Sequence, residues 1–284
     1  MTDPERPLAG QTVVVTGASS GIGRAAATEL SRRGATLAVV GRDSHRTHEV
    51  AASIDGAQAF VADFASLDQV RSLATRLLES YETIDVLANN AGGLESARRM
   101  TVDGHERTIQ VNYLAPFLLT TALLPRLVAS AAGGRSVRVI STASVAHRWG
   151  RLRLDDLDSE RRPHLGGWQA YGSAKTAVLL FTRELARRTA GTGVSVFAFH
   201  PGLVATSFGA RSALLRLGSV FGSGPLGIAP EAGAVPLVEL ASAADITTPS
   251  GTYFDGLVPG GRTSAAAQDD ALARRLWALS ETLI

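Results

Sequence analysis

Short apolar runs, rich in valine and alanine, alternate along this chain with segments of helical periodicity. Apolar runs of this length predict strands that are buried on both faces of a sheet. The predicted strands are Thr12–Thr16, Ala35–Val40, Ala57–Ala62, Ile84–Asn89, Val137–Ser141 and Ser195–His200. The predicted helices between them are Gly21–Arg33, Leu67–Tyr81, Thr101–Ala129 and Gln169–Thr189. Apolar strands joined through helices predict an α/β fold, a doubly wound parallel sheet with helices on both faces.

The pattern loosens after His200. Residues 206–227 hold many glycines, serines and leucines, which predicts a loop with a short helix that would form a lid over a substrate pocket. Gly251–Phe254 predicts a last strand, and residues 269–283 predict an amphipathic C-terminal helix. With 284 residues, 45% of them hydrophobic, the chain can build one sizeable core, so we predict a single domain over residues 1–284.

The composition excludes several classes of protein. The net charge is only +2 and no run of five like charges occurs, which disfavours nucleic-acid binding. The absence of cysteine excludes disulfides and thiolate catalysis, and the six histidines lack metal-ligand spacing, so we predict no metal site. No apolar run reaches the roughly 18 residues of a membrane span, and the N-terminal residues lack the apolar core of a signal peptide. We therefore expect a cytoplasmic protein without a membrane anchor.

A glycine-rich string follows the first predicted strand directly and opens the first helix. Glycines let a backbone approach a pyrophosphate, and a helix N-terminus offers free N–H donors and the positive end of a dipole. Because the string lies between a strand and a helix, it predicts a dinucleotide site rather than a structural turn. The predicted cofactor contacts are Gly17, Ser19, Ser20, Gly21, Ile22 and Gly23.

The end of the second strand indicates which dinucleotide is bound. An acidic side chain at this place would bind the 2′-hydroxyl of NAD, but the chain has Gly41 followed by Arg42. We expect Gly41 to leave that space empty and Arg42 to meet a 2′-phosphate as a charged fork, which favours NADP(H). NAD(H) stays possible, because Asp43 could neutralise Arg42 in a solvated surface pair.

Two further strand ends carry candidate cofactor contacts. Asp63, followed by Phe64, could bind the adenine amino group from the carboxyl end of the third strand. The fourth strand ends in Asn90, Ala91 and Gly92, whose small and amide side chains suit a loop that passes close to the cofactor. The alternative for both places is turn chemistry alone.

The only lysine in the chain, Lys175, lies four residues after Tyr171. Positions four apart share one face of a helix, so the ammonium would lie beside the phenol. A nearby cation favours the phenolate, and a phenol tuned in this way can exchange protons near neutral pH. Arginine, a broad planar fork, would not replace a point charge here. A surface pair is the alternative reading.

Together, TGASSGIG, NNAG, Asn112, Ser144 and YGSAK resemble the short-chain dehydrogenase/reductase family, which has a Rossmann fold. The resemblance extends from about Gln11 to Leu283, and SVAH, FTRELARR, HPG and GTYF resemble the retinol-dehydrogenase-like subgroup. It implies that Tyr171 is the general acid/base and that Lys175 lowers its pKa while bonding the nicotinamide ribose, so that both residues also contact the cofactor.

The resemblance also implies that Ser144 polarises the substrate oxygen and that Asn112 positions a water linking Lys175 to solvent. Ser141, three residues earlier, is the alternative serine, but Ser144 directly precedes Val-Ala-His as the family pattern has it. By the same motif match, Pro201, Gly202 and Thr206 would contact the nicotinamide carboxamide.

The implied function is that of an NADP-dependent oxidoreductase, which transfers a hydride between nicotinamide C4 and an apolar alcohol or carbonyl substrate. The alternative is a non-catalytic NADP-binding sensor or scaffold, which the intact set of proton-transfer residues disfavours. A sugar-nucleotide epimerase or dehydratase would use similar chemistry, but such chains usually carry a larger C-terminal region.

Ser144 and Tyr171 lie 27 positions apart, about twice the spacing in compact family members. The extra stretch, Arg148–Gln169, carries many charges of both signs, which predicts a solvated mixed-charge loop rather than an anion site. It precedes the helix that commonly makes the family's dimer contact and could cover that surface. A homo-oligomer is therefore possible but is not assumed.

Overall fold

The computed structural model describes residues 6–202 and 228–284, so Thr206 and the predicted lid at 206–227 lie outside the described residues. The sheet has the order β3-β2-β1-β4-β5-β6-β7-β8, with β1 to β7 parallel and β8 antiparallel to β7. This order confirms the doubly wound fold. Its strands are β1 Thr12–Thr16, β2 Thr36–Gly41, β3 Gln58–Val61, β4 Val86–Asn89, β5 Val137–Thr142, β6 Val194–His200, β7 Tyr253–Asp255 and β8 Val258–Pro259.

Helices cover both faces of the sheet. They are α1 Gly21–Arg32, α2 Ser44–Ala52, α3 Leu67–Ser80, α4 Arg107–Ala132, α5 Trp168–Arg188, α6 Pro230–Ser242 and α7 Asp270–Leu283. One core lies under α3, α4, α5 and α7, and a second lies under α1, α2 and α6. The carboxyl ends of β1, β4 and β5 thereby meet at one edge, where a doubly wound sheet places its ligands.

Three features of the helices differ from the pattern-based prediction. Neither α2 nor α6 was predicted, and the predicted start of α4 at Thr101 is wrong. Met100 and Glu106 form a β-bridge, and the Glu106 carboxylate accepts from the backbone N–H of Ile109 at 3.0 Å, which caps the helix six residues later. Capping by a side-chain acceptor satisfies an N–H that has no partner within the helix.

Among the described helices, α4 alone is long and apolar enough to cross a membrane. Its most apolar window is 56% buried inside the protein, where it packs in the first core. α4 is therefore a core helix. It also contains a π-helical turn at Gln110–Leu114, which carries Asn112.

The stretch between Ser144 and Tyr171 is tied to the body of the protein rather than solvated throughout. The Asp156 carboxylate is buried and forms a 3.0 Å ion pair with Arg162. Asp158 accepts from the backbone of Glu106 at 2.8 Å and lies 3.3 Å from His105, whose second ring nitrogen faces the Leu283 carbonyl. The prediction of a solvated loop is wrong for these residues, because their charges are paired within the fold.

One side of α5, the helix that the family resemblance associates with a dimer contact, is covered from within the chain. Trp277 of α7 stacks on Phe181 of α5, with ring centroids 5.8 Å apart and planes 13° apart. The Arg188 guanidinium carbon lies over the Trp277 ring, 4.3 Å from the ring centroid. The amphipathic C-terminal helix, rather than the inserted stretch alone, therefore packs against this side of α5.

Candidate active site

The loop after β4 is tied to the ends of β1 and β5. The Thr16 hydroxyl accepts from the backbone N–H of Asn90 at 2.9 Å and of Ala91 at 3.0 Å. The Asn90 amide donates to the Thr16 carbonyl at 3.0 Å and accepts from the Thr142 hydroxyl at 3.1 Å. Asn90 therefore joins three strand ends. Thr16 shares this role and was missed as a site residue, although it opens the glycine-rich string.

The glycine-rich turn packs so closely that side chains would not fit. Gly17 has φ +67°, and a Cβ there would lie 2.8 Å from the Ala91 Cα. A Cβ on Gly23 would collide with the Gly17 carbonyl and lie 2.7 Å from the Asn90 amide nitrogen. Such contacts require glycine at both positions.

The N-terminus of α1 begins directly after this turn. Its cap residue, Ser20, makes no side-chain hydrogen bond to the first turn, so the N–H groups there are not satisfied by a cap. Ser19, Gly21 and Ile22 are partly accessible beside it. An uncapped helix end above a glycine-only turn fits a dinucleotide pyrophosphate.

The space beside Gly41 is filled, contrary to the prediction that it is empty. A Cβ at this position would collide with the Thr47 hydroxyl of α2 and lie 2.9 Å from the Ser19 Cβ. An acidic side chain would therefore fit only if the side chains of Thr47 and Ser19 moved. Gly41 stands at the strand end where a site for the 2′-hydroxyl of NAD would have an acidic residue, and this difference still distinguishes the two kinds of site.

Arg42 is exposed, and within residues 6–202 and 228–284 it forms no ion pair. Asp43 instead caps α2 by accepting from the Arg46 N–H at 3.0 Å, and its second oxygen pairs with the Arg46 guanidinium at 3.0 Å. The predicted alternative, an Arg42–Asp43 surface pair, is therefore replaced by an Asp43–Arg46 pair. Arg42 keeps its donors for another partner.

Asp63 and Phe64, the second and third residues after β3, face different surroundings. The Asp63 carboxylate accepts from the Ala65 N–H at 3.0 Å and lies 3.7 Å from the Arg107 guanidinium, but stays partly exposed. Phe64 is buried in the first core, and its carbonyl accepts from the Gln110 amide at 3.2 Å. Asp63 can thus reach a ligand through its side chain, whereas Phe64 offers only its backbone.

Tyr171 and Lys175 lie on the same face of α5, as their spacing predicts. The Lys175 Nζ is 5.5 Å from the centre of the Tyr171 ring and donates to the Thr142 carbonyl at 2.8 Å. Lys175 is only 4% exposed. A Cβ on Gly92 would lie 3.5 Å from this Nζ, so the loop after β4 passes directly beside the ammonium.

Ser144 lies two residues after the end of β5 and caps a 3-10 turn, Val145–Arg148. Its hydroxyl accepts from the Ala146 N–H at 3.2 Å, and its interaction with the Tyr171 side chain favours a lower pKa of that phenol. The alternative serine, Ser141, lies inside β5, paired with Ala198. Ser144 is therefore the serine that the structure brings to the phenol.

Burial dominates the proton equilibria of this pair. It raises the pKa of Tyr171, and the hydrogen bond with Ser144 works in the opposite direction. Burial also lowers the pKa of Lys175 to about 7. The Tyr171–Lys175 spacing predicts that the Lys175 charge has the leading effect on the phenol, but desolvation opposes the charged forms of both groups and is the larger effect.

The Asn112 side chain holds the backbone around the site. Its amide nitrogen donates to the Gly93 and Thr108 carbonyls, each at 2.8 Å, and its oxygen accepts from the Gly93 N–H at 3.1 Å. These contacts fix the loop after β4 against the π-helical turn. The water-positioning role implied by the family stays a prediction.

An apolar wall around the phenol was not predicted. Leu94 and Ala146 pack against Tyr171, and Trp168 contacts it edge-on with ring centroids 6.3 Å apart. Gly167, with φ +84°, brings the start of α5 against the Glu95 carbonyl and so places Trp168 in this wall. A tryptophan three residues before the tyrosine is the signal that could have been noticed. The predicted nicotinamide contacts Pro201 and Gly202 follow β6 and are half-buried.

Comparison with known proteins identifies the family of this fold and site. The family model described as short chain dehydrogenase matches residues 11–152 and 162–213. The chain belongs to the short-chain dehydrogenase family. In the part of the chain that the structure describes, no group of three histidine or carboxylate side chains could hold a metal ion.

Individual members of the family resemble the whole chain. Human "Retinol dehydrogenase 13" is 39% identical over 98% of this chain and 85% of its own length, in agreement with the retinol-dehydrogenase-like subgroup. "Putative daunorubicin C-13 ketoreductase DnrU" of Streptomyces sp. (strain C5) is 43% identical over 99% of this chain and 95% of its own. The solved "Pseudomonas aeruginosa RhlG/NADP active-site complex" is 29% identical with a TM-score of 0.72, over 91% of this chain and 98% of that chain. This protein is thus an NAD(P)-dependent oxidoreductase of the short-chain dehydrogenase family.

Proposed function

We propose that this short-chain dehydrogenase is an NADP-dependent oxidoreductase acting on an apolar alcohol or carbonyl, with Tyr171 as general acid/base. The observation that carries the proposal is the buried contact of Tyr171 with Ser144 beside Lys175, at the sheet edge that also holds the glycine-rich turn. A proton donor and an oxyanion partner thereby lie next to a place suited to a dinucleotide.

Each of the three side chains has a distinct task. When bound, NADPH supplies the hydride for the carbonyl carbon, a step that side chains do not perform. Tyr171 and Ser144 would both donate to the substrate oxygen, and Tyr171 would pass its proton to that oxygen as negative charge develops. The ammonium form of Lys175 would stabilise the phenolate that is left.

The cofactor preference is proposed from the end of β2. Arg42 is exposed and free of ion pairs among the described residues, while the side chains of Thr47 and Ser19 occupy the space that a side chain at Gly41 would need. The complex of the Pseudomonas aeruginosa relative with NADP supports the same preference. NAD(H) would bind more weakly, because it lacks the phosphate that Arg42 would contact.

Titration of Arg42→Ala with NADPH and NADH tests this preference, and Arg46→Ala is the matched control because Arg46 is already paired with Asp43. Loss of one charge-assisted contact, about 1.5–3 kcal/mol, should raise the NADPH Kd roughly 10- to 150-fold and leave NADH unchanged. Equal losses for both cofactors would remove Arg42 from this role.

The apolar substrate is proposed from the wall of Leu94, Ala146 and Trp168 beside the phenol. The names of the relatives, a retinol dehydrogenase and a daunorubicin ketoreductase, support large apolar substrates. NADPH consumption with retinal, daunorubicin and acetone would test the class. Turnover of acetone as efficient as that of the large carbonyls would contradict it.

The acid/base role is tested with Tyr171→Phe, and Tyr81→Phe is the control because Tyr81 lies at the distant end of α3. Loss of the proton donor should lower kcat by several orders of magnitude while NADPH binding is retained. The control should keep full activity. If Tyr171→Phe stayed active, the assignment would be wrong; NADPH binding with no turnover of any carbonyl by the unmodified protein would favour the sensor or scaffold.

A further inference from the structure

His147 lies three residues after Ser144 and is fully buried, at 0% exposure. Its Nδ1 is 2.6 Å from the Ser144 carbonyl oxygen, and its backbone N–H donates to the same oxygen at 3.2 Å. Because a carbonyl only accepts, the Nδ1 must carry the proton. Both acceptor positions of the Ser144 carbonyl are thus filled by one residue.

The surroundings keep the imidazole neutral. Burial lowers the pKa of His147, and neighbouring Arg148 acts in the same direction, whereas the carbonyls of Ser144 and Arg262 and the charge of Asp255 act against it. The Arg262 carbonyl does not reach hydrogen-bonding geometry with Nε2, which has no partner among the described residues. A neutral imidazole carries one N–H group, and in His147 this N–H, on Nδ1, donates to the Ser144 carbonyl.

His147 also connects Ser144 to the helix that carries the other site residues. The Thr176 hydroxyl of α5, one residue after Lys175, lies 3.1 Å from the Gly172 carbonyl and 3.2 Å from the His147 carbonyl, so its single proton is shared between them. Close by, a Cβ on Gly172 would lie 2.7 Å from the Ala146 carbonyl, so the 3-10 turn and α5 are in backbone contact. The distance between Ser144 and Tyr171 is therefore set through this turn.

We propose that His147 is a positioning residue, whose Nδ1–H holds the Ser144 backbone so that the serine hydroxyl meets the Tyr171 phenol. The inference rests on the proposed function, in which both hydroxyls donate to the substrate oxygen. A displacement of the order of 1 Å in such a site lowers turnover about 100-fold. Loss of the Nδ1 donor should act on the reaction rather than on binding.

The matched variants are His147→Asn and His147→Gln. The Asn amide places an N–H near the position of Nδ1, whereas the longer Gln amide reaches toward the position of Nε2. We expect Asn to keep kcat within about threefold of the unmodified protein and Gln to lose about 10- to 100-fold, with the KM for the carbonyl and the Kd for NADPH unchanged. Gln fills the buried volume better than Asn, so a role in packing alone predicts the reverse order. That reverse order, or equal activities, would overturn the proposal.

Crystal structures of the two variants separate this inference from the proposed function, because they require no turnover. The approach of the Ser144 hydroxyl to the Tyr171 phenol should match that of the unmodified protein in His147→Asn and be lost in His147→Gln. If it persisted in both, His147 would not position Ser144, whatever the activity. If it was lost as expected but the unmodified protein reduced no carbonyl, the positioning would stand and the proposed reaction would fail.

Discussion

Replacing Lys175 by methionine should stabilise the protein in the absence of cofactor while abolishing its activity. The side chain is 4% exposed, and its only hydrogen bond within the described residues is the 2.8 Å contact to the Thr142 carbonyl. Burial lowers its pKa from an ordinary 10.5 to about 7. Methionine has a similar length and no charge. Its substitution therefore removes the desolvation free energy of the buried ammonium, which destabilises only the folded state.

The size of the effect follows from the two pKa values. A shift from 10.5 to about 7 corresponds to about 5 kcal/mol at 1.36 kcal/mol per unit, an upper bound reached at or below pH 7. Loss of the bond to the Thr142 carbonyl returns about 1–3 kcal/mol. A net gain of about 2–4 kcal/mol in the free energy of unfolding is expected at pH 6–7.

The sign with pH is determined by which state binds the proton. Between pH 7 and 10.5 the unfolded state keeps the Lys175 proton and the folded state releases it, so the stability of the unmodified protein rises with pH. The advantage of Lys175→Met should therefore be largest below pH 7, fall by about 1.36 kcal/mol per pH unit above it, and vanish between about pH 8.5 and about pH 10. Because the chain has no other lysine, no second lysine titrates in this window.

Urea unfolding of both proteins without cofactor, at intervals from pH 6 to pH 9.5, measures this difference. Thermal unfolding of Lys175→Arg provides a control that keeps the charge and should be destabilised by overpacking. The reasoning would be refuted if Lys175→Met were less stable at pH 6, or if its advantage did not shrink as the pH rises.

Three further predictions concern the glycine-rich turn after β1, the buried Asp85–Arg135 ion pair and the contact of His105 with Asp158. Gly23→Ala forces a Cβ into the Gly17 carbonyl and should abolish NADPH binding in a fluorescence titration. Unchanged affinity would show that the glycine-rich turn does not bind the cofactor pyrophosphate. Asp85→Asn should cost about 3 kcal/mol in urea unfolding, because the fully buried carboxylate accepts from the Thr12 N–H at 2.7 Å and pairs with Arg135. The hydrogen bond with Asp158 raises the pKa of His105, so its stabilisation is full below about pH 6.5 and is lost as the pH rises through the folded pKa. His105→Gln should accordingly lose most stability at pH 5.5 and least at pH 8, and a pH-independent difference would contradict this.

Sequence alone determined the features that depend on local spacing. A glycine-rich string between a strand and a helix predicts a phosphate-binding turn, and the structure requires glycine at Gly17 and Gly23. The four-residue step from Tyr171 to Lys175 predicts one helix face, and both side chains lie there. Such features were predictable because the geometry of a turn or a helix fixes them, whatever the rest of the fold does.

Tertiary structure decided the features that depend on which surfaces meet. α6 has apolar residues around most of its circumference and a proline at Pro236, so its pattern carries little helical contrast. Asp43 pairs with Arg46 only because α2 forms, and Thr47 of that helix then fills the space beside Gly41. The spacing of residues along the chain does not predict these contacts.

The proton chemistry of the site depends both on residue types that the sequence predicts and on burial that only the tertiary structure decides. Sequence identified Tyr171 and Lys175 and the attraction between their charged forms, but burial is the larger influence on both pKa values. Burial also makes His147 a neutral donor to Ser144, a role that its place in SVAH does not reveal. Residue type sets which charges are available, and the packing of distant elements sets how much water reaches them.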